Sequence, residues 1–318
     1  MAHERVPLRG LCLTGPTACG KTELALALAA ELPLEIVSMD SAMVYRGMDI
    51  GTAKPPPDVL ERFPHHLIDI RDPEDAYSAG EFRTDAVAAF AAVQSRGNWP
   101  LLVGGTLLYL RALREGLADL PQRDARVREA IDAEARVHGW AAMHDRLRQA
   151  DPESAARIKP SDRQRIQRAL EVHALTGRPL AELTRRRVQS VMPEIEIAAF
   201  AVVPADRSQV AARIERRFDG MVERGFVEEV RRLRARPALD ARHAAMRSVG
   251  YRQIWGYLAN DYDWHEARRR AIVATRQLAK RQMTWLRSDR ACESLPAFAS
   301  DLGRQLSERV VRRLEQWA

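Results

Sequence analysis

Leu11-Cys12-Leu13-Thr14-Gly15-Pro16-Thr17-Ala18-Cys19-Gly20-Lys21-Thr22 is the stretch whose reading decides the fold. Leu11–Thr14 has the length and composition of a buried strand, and Thr22–Leu32 carries a helical pattern. Between them, Gly15 to Thr22 satisfies G-x-x-x-x-G-K-[ST] at every fixed position, in the strand-to-helix context the motif needs. The glycines let backbone N–H groups converge on phosphate oxygens, and the following helix turns its positive end toward them. Lys21 adds a point charge and Thr22 is placed to hold Mg²⁺. Gly15, Pro16, Thr17, Ala18, Cys19, Gly20, Lys21 and Thr22 therefore form the expected phosphate-binding loop, a P-loop. Cys19 reads as a small filler there, since nothing else in the sequence points to redox work.

The pattern outward from this loop alternates apolar runs and helices: Leu34–Ser38, Ser78–Val93, Leu101–Val103 and a helix from about Leu107. That βαβ rhythm predicts an α/β fold with a parallel sheet of the P-loop type. The helix at Ser78 opens with a capping box, Ser78-x-x-Glu81. Asp40 and Ser41 follow a strand, so they emerge at the carboxyl edge of the sheet, beside the P-loop, where ligands of open α/β sheets bind. For Asp40 the residues alone leave three roles open: base, metal ligand or helix cap. Gly104-Gly105-Thr106 closes the next strand and brings mobile backbone and a hydroxyl to the same edge. Adjacent His65 and His66 point to opposite sides of an extended segment and cannot share one metal, so they read as structural.

From Pro121 to about Arg187 the strand signals vanish and helices follow one another: Asp124–His138, Ala141–Gln149, and Ser161–Thr176, capped by Ser161-x-x-Gln164 and stopped by Gly177. Ile195–Val203 returns to the sheet and Pro204 closes it. The division is thus a core of 1–120 and 195–318 with helices toward its end, and an all-helical insertion of 121–194. The remainder reads as helical: Ser208–Glu223, a segment around Met246–Leu258, and a long helix from about Trp264 to Arg287. Arg217 can close over phosphates as a bidentate cation or lie on the surface. Arg276 with Lys280, and Gln277 with Arg281, stack one turn apart on a face that is either solvated or a contact surface. Tyr251, Trp255 and Tyr257 read as core aromatics.

With 318 residues, 46% hydrophobic and 29% charged, the chain has the composition of an ordinary globular protein and room for two domains. Its three cysteines have no metal or disulfide spacing, which suits a reducing cytoplasm. No signal peptide precedes the first strand and the longest apolar run, Leu24 to Ala30, is too short for a membrane helix, so neither export nor a membrane is expected. The net charge of +7 is uneven: residues 1–120 hold 11 Lys/Arg against 16 Asp/Glu, and residues 121–318 hold 39 against 27. The basic part faces a polyanion or serves solubility.

Taken together, the blocks GPTACGKTELA at 15–25, DSAMVYRGMDIGTAKP at 40–55, HHLIDI at 65–70, YSAGEFRTDA at 77–86, VGGTLLYLRAL at 103–113, DRQRIQRALEV at 162–172, RIERRFDGMVERGFVEEV at 213–230, RSVGYRQIWGYL at 247–258 and TRQLAKRQMTWLR at 275–287 closely resemble the bacterial tRNA dimethylallyltransferase (isopentenyl-diphosphate:tRNA transferase) family over almost the whole chain. The resemblance implies transfer of a dimethylallyl group from dimethylallyl diphosphate, with Mg²⁺, to N6 of the adenosine at tRNA position 37. It implies that the P-loop and Arg217 hold the diphosphate, that Asp40 takes the proton from the adenine amino group, and that Thr106 bonds near the bridging oxygen. It implies contacts to the tRNA anticodon stem-loop from Asp40, Ser41, Ala42, Met43, Thr106 and Arg128. Further implied contacts are Gln164, Arg165, Ile166, Gln167 and Arg168; Arg242, His243, Ala244, Ala245, Met246 and Arg247; and Arg276, Gln277, Lys280 and Arg281. A monomer is expected.

Two positions depart from the family pattern: Cys19 stands where many relatives carry Ser, and Met43 where many carry Gln, so no hydrogen bond is implied from either. Eukaryotic members add a zinc finger, for which this sequence lacks the Cys/His set, as in the short bacterial type. Three rival readings remain: a P-loop kinase with Asp40 activating a hydroxyl, prenyl transfer to free adenine nucleotides, and a non-catalytic RNA-binding protein. The basic helical insertion argues against the first two, and the joint presence of Asp40 and Thr106 against the third.

Overall fold

The chain forms six strands, of which the central ones run largely apolar: β1 (Leu8–Thr14), β2 (Leu34–Met39), β3 (His65–His66), β4 (Trp99–Gly104), β5 (Ile195–Val203) and β6 (Cys292–Pro296). The structure, a computed structural model, describes residues 7–118, 120–185 and 195–318. The six strands make one parallel sheet in the order β3-β2-β4-β1-β5-β6. Leu11, Cys12 and Leu13 of β1 and Leu101 and Leu102 of β4 are completely or almost completely buried, as expected for a parallel sheet covered on both faces. Thr14 and Met39 both pair with Gly104, so β1, β2 and β4 end level. Their next residues, Gly15, Asp40 and Gly105, therefore meet at one edge.

Helices α1 (Lys21–Glu31), α2 (Pro57–Arg62), α3 (Ala79–Ser95) and α4 (Leu107–Glu115) alternate with the first strands. The capping box of α3 is present: Ser78 Oγ accepts from the Glu81 N–H at 3.1 Å, and the Glu81 carboxylate accepts from the Ser78 N–H at 2.8 Å. Phe82, Ala86, Phe90 and Val93 form its buried stripe. Two strands are additions to those expected from the sequence. β3 holds only the two histidines, and β6 interrupts the stretch after Val203 that reads as helical. Both lie at the ends of the sheet and pair on one side alone, and an edge is where β6 can end in Pro296.

The described residues fall into two compact units, one within Met1–Arg114 and Pro193–Ala318, the other within Glu115–Met192. The second unit is helical: α5 (Ala125–Ala150), α6 (Pro152–Arg157), α7 (Arg163–Thr176) and α8 (Leu180–Arg185). Ile131, Ala135, Met143, Leu147, Ile166 and Leu170 belong to its own core. The two helices expected at 124–149 are present within α5, separated at Gly139, whose φ of 80° and ψ of 159° are not helical. Asp162, not Ser161, caps α7, accepting from the Arg165 N–H at 3.2 Å, while Gly177 closes the helix in the left-handed region as expected. Asp151, 1% exposed, joins two helix starts by accepting from the N–H of Ser154 at 2.9 Å and of Ala181 at 3.0 Å. Residues 1–6, 119 and 186–194 of the expected division lie outside the described residues.

In the first unit the chain continues after β5 with α9 (Arg207–Glu223), α10 (Phe226–Arg234), α11 (Tyr251–Leu258), α12 (Trp264–Ser288) and α13 (Leu302–Trp317). Among the described residues no helix is long and apolar enough to cross a membrane.

Candidate active site

The P-loop turns by placing Ala18 (φ 66°) and Gly20 (φ 80°) in the left-handed region, which aims the start of α1 inward. Gly20 occupies the cap position itself, where only glycine is unstrained. Around this turn lies a cavity of about 730 Å³. It is lined by Thr17 to Glu23 and the arginines Arg213, Arg216 and Arg217, together with the apolar side chains of Leu26, Ile36, Val59, Ile68 and Val103. Arg213 Nε donates to the Ala18 carbonyl at 2.9 Å, and Arg217 reaches the Thr52 carbonyl at 3.5 Å. Lys21 donates to the Pro16 carbonyl at 2.8 Å. Loss of hydration pushes the Lys21 ammonium down to about 8; the Arg217 cation adds to the fall, and the Cys19 and Asp40 side chains oppose it. Cys19 is buried and its thiol is pushed upward, mainly by burial, as befits a packing residue.

Asp40 and Met43 line the same cavity. One Asp40 oxygen, Oδ1, accepts from the Ala42 N–H at 2.8 Å in a local turn. Thr106 is strapped to the end of β2: its N–H donates to the Met39 carbonyl at 3.2 Å and its Oγ1 accepts from the Ser41 N–H at 3.1 Å. The fold thus brings Asp40, Thr106 and the P-loop to one edge. Thr22 and Asp40 both present hard oxygen donors to the cavity. A magnesium ion that takes one or two protein oxygens and completes its shell with phosphate and water fits such a set. Among the described residues no group of three or more His, Cys, Asp or Glu could hold a metal by itself.

Gln282 of α12 was not singled out by sequence reasoning. Its Oε1 accepts from the Thr17 N–H at 3.0 Å and its Nε2 donates to the Gly105 carbonyl at 2.9 Å, tying the P-loop to the glycine pair across 265 residues of chain. No local spacing could have revealed it. His65 bonds the Phe63 carbonyl and His66 the buried Glu35, both at 2.7 Å, although His65 also lines the cavity.

The remaining sequence-selected residues are not among those that line this cavity. In the helical unit Arg128 donates to Gln167 Oε1, Gln167 donates to Asp132 at 2.7 Å, and Arg168 bridges Glu171 and the Pro121 carbonyl. Gln164 and Arg165 are exposed. In the first unit Arg242 pairs with Asp240, His243 bonds Asp240, Arg247 is exposed, and Ala244 is half-buried. Arg276 pairs with Glu215, whereas Gln277, Lys280 and Arg281 are exposed along α12. Ile166, Ala245 and Met246 are core side chains, 0–1% exposed, so they pack the fold and offer no side-chain surface. Tyr251 is fully buried against Phe226, with ring centroids 5.0 Å apart.

The model of the family described as IPP transferase matches residues 43–289. The chain belongs to the IPP transferase family. A tRNA dimethylallyltransferase of Alkalilimnicola ehrlichii is 54% identical over 96% of this chain and 95% of its own, and one of Thioalkalivibrio sulfidiphilus is 56% identical over 87% and 86%. The crystal structure of the tRNA isopentenylpyrophosphate transferase of Bacillus halodurans superposes with a TM-score of 0.71 at 32% identity, covering 97% of each chain.

Proposed function

We propose that this protein transfers a dimethylallyl group from dimethylallyl diphosphate to N6 of the adenosine at tRNA position 37, beside the anticodon, and releases diphosphate. The observation that carries this reading is one cavity that joins a P-loop, three arginines and a carboxylate to apolar side chains. That lining matches a small molecule with a diphosphate at one end and an isoprenoid group at the other. Family membership and relatives bearing the name tRNA dimethylallyltransferase support the same acceptor.

In the reaction the bond between the allylic carbon and the diphosphate oxygen breaks, and its electron pair leaves on the diphosphate. The N6 lone pair forms the new C–N bond and the surplus N6 proton passes to Asp40, with Oδ1 already held by the Ala42 N–H. P-loop N–H groups, Lys21 and Arg217 stabilise the charge that grows on the departing oxygens. Thr22 would hold Mg²⁺, which supplies further charge neutralisation of the diphosphate when bound. Thr106 bonds close to the bridging oxygen, and Gln282 keeps its loop in register with the P-loop. Adenine N6 is unreachable while the base is stacked, so the base leaves the anticodon loop to enter the cavity. Exposed Gln164, Arg165, Arg247, Gln277, Lys280 and Arg281, with Arg128, Arg168, Arg242 and Arg276, contact the RNA backbone and unstacked bases. The protein acts as a cytoplasmic monomer.

The test incubates the protein with Mg²⁺, labelled dimethylallyl diphosphate and unmodified tRNA carrying consecutive adenosines beside its anticodon, with free adenine nucleotides and ATP in parallel. Label in the adenosine of the tRNA is the expected result. Label only in free nucleotides, or phosphate release from ATP, would replace this reading with one of its rivals.

A further inference from the structure

Glu229 of α10 carries a carboxylate at 1% exposure, outside the cavity and without a role in the chemistry above. A buried charge of this kind persists only when its oxygens are saturated with hydrogen bonds. Its partners are three consecutive backbone donors, the N–H groups of Asp49 (3.0 Å), Ile50 (2.7 Å) and Gly51 (3.1 Å), and the Tyr251 hydroxyl (2.5 Å). Two oxygens accept four donors, which a single amide oxygen cannot do. The loop approaches so closely that a Cβ on Gly51 would lie 2.1 Å from Phe226 Cε2 and 2.6 Å from Tyr251 Cζ, so only glycine fits there.

The next residues of this loop, Thr52, Ala53 and Lys54, line the cavity. The Thr52 hydroxyl bonds back to the Met48 carbonyl at 2.7 Å, and the Lys54 ammonium, 3% exposed in its side chain, bonds Asp49, Asp69 and the Tyr45 carbonyl. The loop is therefore held by two buried charges, and it meets the phosphate side of the cavity through the Thr52 carbonyl, which faces Arg217 at 3.5 Å. We infer that Glu229 is a positioning residue for the diphosphate: by holding the N–H groups of 49–51 it fixes the Thr52 carbonyl that orients Arg217 toward the P-loop. The inference rests on the proposed function, in which Arg217 meets the donor diphosphate.

The test measures binding of inorganic diphosphate with Mg²⁺ by calorimetry on the full chain, for wild type, Glu229→Gln, Arg217→Ala, the double variant and Tyr251→Phe. Glu229→Gln weakens binding about tenfold, the effect of losing a charged hydrogen-bond acceptor. In the Arg217→Ala background the same change has less than a twofold effect. Tyr251→Phe, which leaves the three loop contacts in place, lowers the melting temperature but keeps the affinity within twofold. If Glu229→Gln does not fold, Glu229→Asp, which keeps the charge and retracts it by one methylene, takes its place with the same expectations in smaller measure. Wild-type affinity in the Glu229 variant, or an undiminished loss in the Arg217→Ala background, would overturn the inference. Failure of the wild type to bind diphosphate at all would instead remove the donor reading on which it rests.

Discussion

Lys21 is a cation of the cavity whose protonation a bound anion would change. Its ammonium is part-buried, spends a hydrogen bond on the Pro16 carbonyl, and is pushed down to about 8 from an ordinary 10.5, chiefly by lost hydration. A bound diphosphate restores a counter-charge and raises the value again, so binding takes up about half a proton at pH 8. If only the ammonium form binds, affinity falls about tenfold between pH 7 and pH 9. The ceiling is the span from 10.5 to 8, about 3 kcal/mol. Stability follows the opposite course in the unliganded protein: the unfolded chain holds this proton more tightly, so the penalty is relieved above pH 10.5 and returns as the pH falls through 8. The assay is calorimetry with dimethylallyl diphosphate, without tRNA, in buffers of different ionisation enthalpy. Lys21→Arg, which stays charged, flattens the profile above pH 7. A wild-type affinity independent of pH from 7 to 9, or an identical slope in Lys21→Arg, would refute the reasoning.

Three further outcomes are expected. Gln282→Ala leaves the Thr17 N–H and the Gly105 carbonyl without their bridge and lowers kcat/KM about tenfold in steady-state assays, and Gln282→Glu is worse because a carboxylate oxygen then faces that carbonyl. Glu35, held down to about 2 chiefly by the Arg96 guanidinium, adds stability that is complete above 4.5 and is lost as the pH falls through 2. Glu35→Gln therefore destabilises the protein by about 2 kcal/mol at pH 7 in urea unfolding, and by progressively less as the pH falls below 4.5. Lys280→Ala and Arg281→Ala each reduce the slope of log affinity for tRNA against log salt by about 0.7, measured by filter binding, if these exposed cations meet phosphates.

Much of the core was legible because it rests on local signals. The P-loop, the Ser78 capping box, Gly177 and the largely apolar stretch Ile195–Val203 each need only neighbours in sequence, and the level strand ends that gather Asp40 and Thr106 follow from parallel pairing. Edge strands escaped for the same reason. His65–His66 is too short for any period, and Cys292-Glu293-Ser294-Leu295-Pro296 mixes polar residues and a proline, which only its partner β5 makes into a strand. Asp162 displaced Ser161 as the cap of α7 because two competent residues stood side by side. Gln282 and Glu229 lay out of reach for another reason: each sits in a charged helical stretch that resembles a solvated face, and each acts on backbone far away in sequence. The side chains of Ile166, Ala245 and Met246 show the converse, residues inside motif blocks that turn out to fill the core.

The most direct test of the central claim is single-turnover transfer from labelled dimethylallyl diphosphate to tRNA by Asp40→Asn beside wild type, with donor affinity measured on the same samples. If Asp40 takes the N6 proton, the variant loses a factor of about 10² to 10⁴ in the transfer rate and keeps its donor affinity within twofold. Transfer at the wild-type rate would contradict the account, and so would a loss explained wholly by weaker donor binding, which would move Asp40 from proton transfer to the diphosphate site.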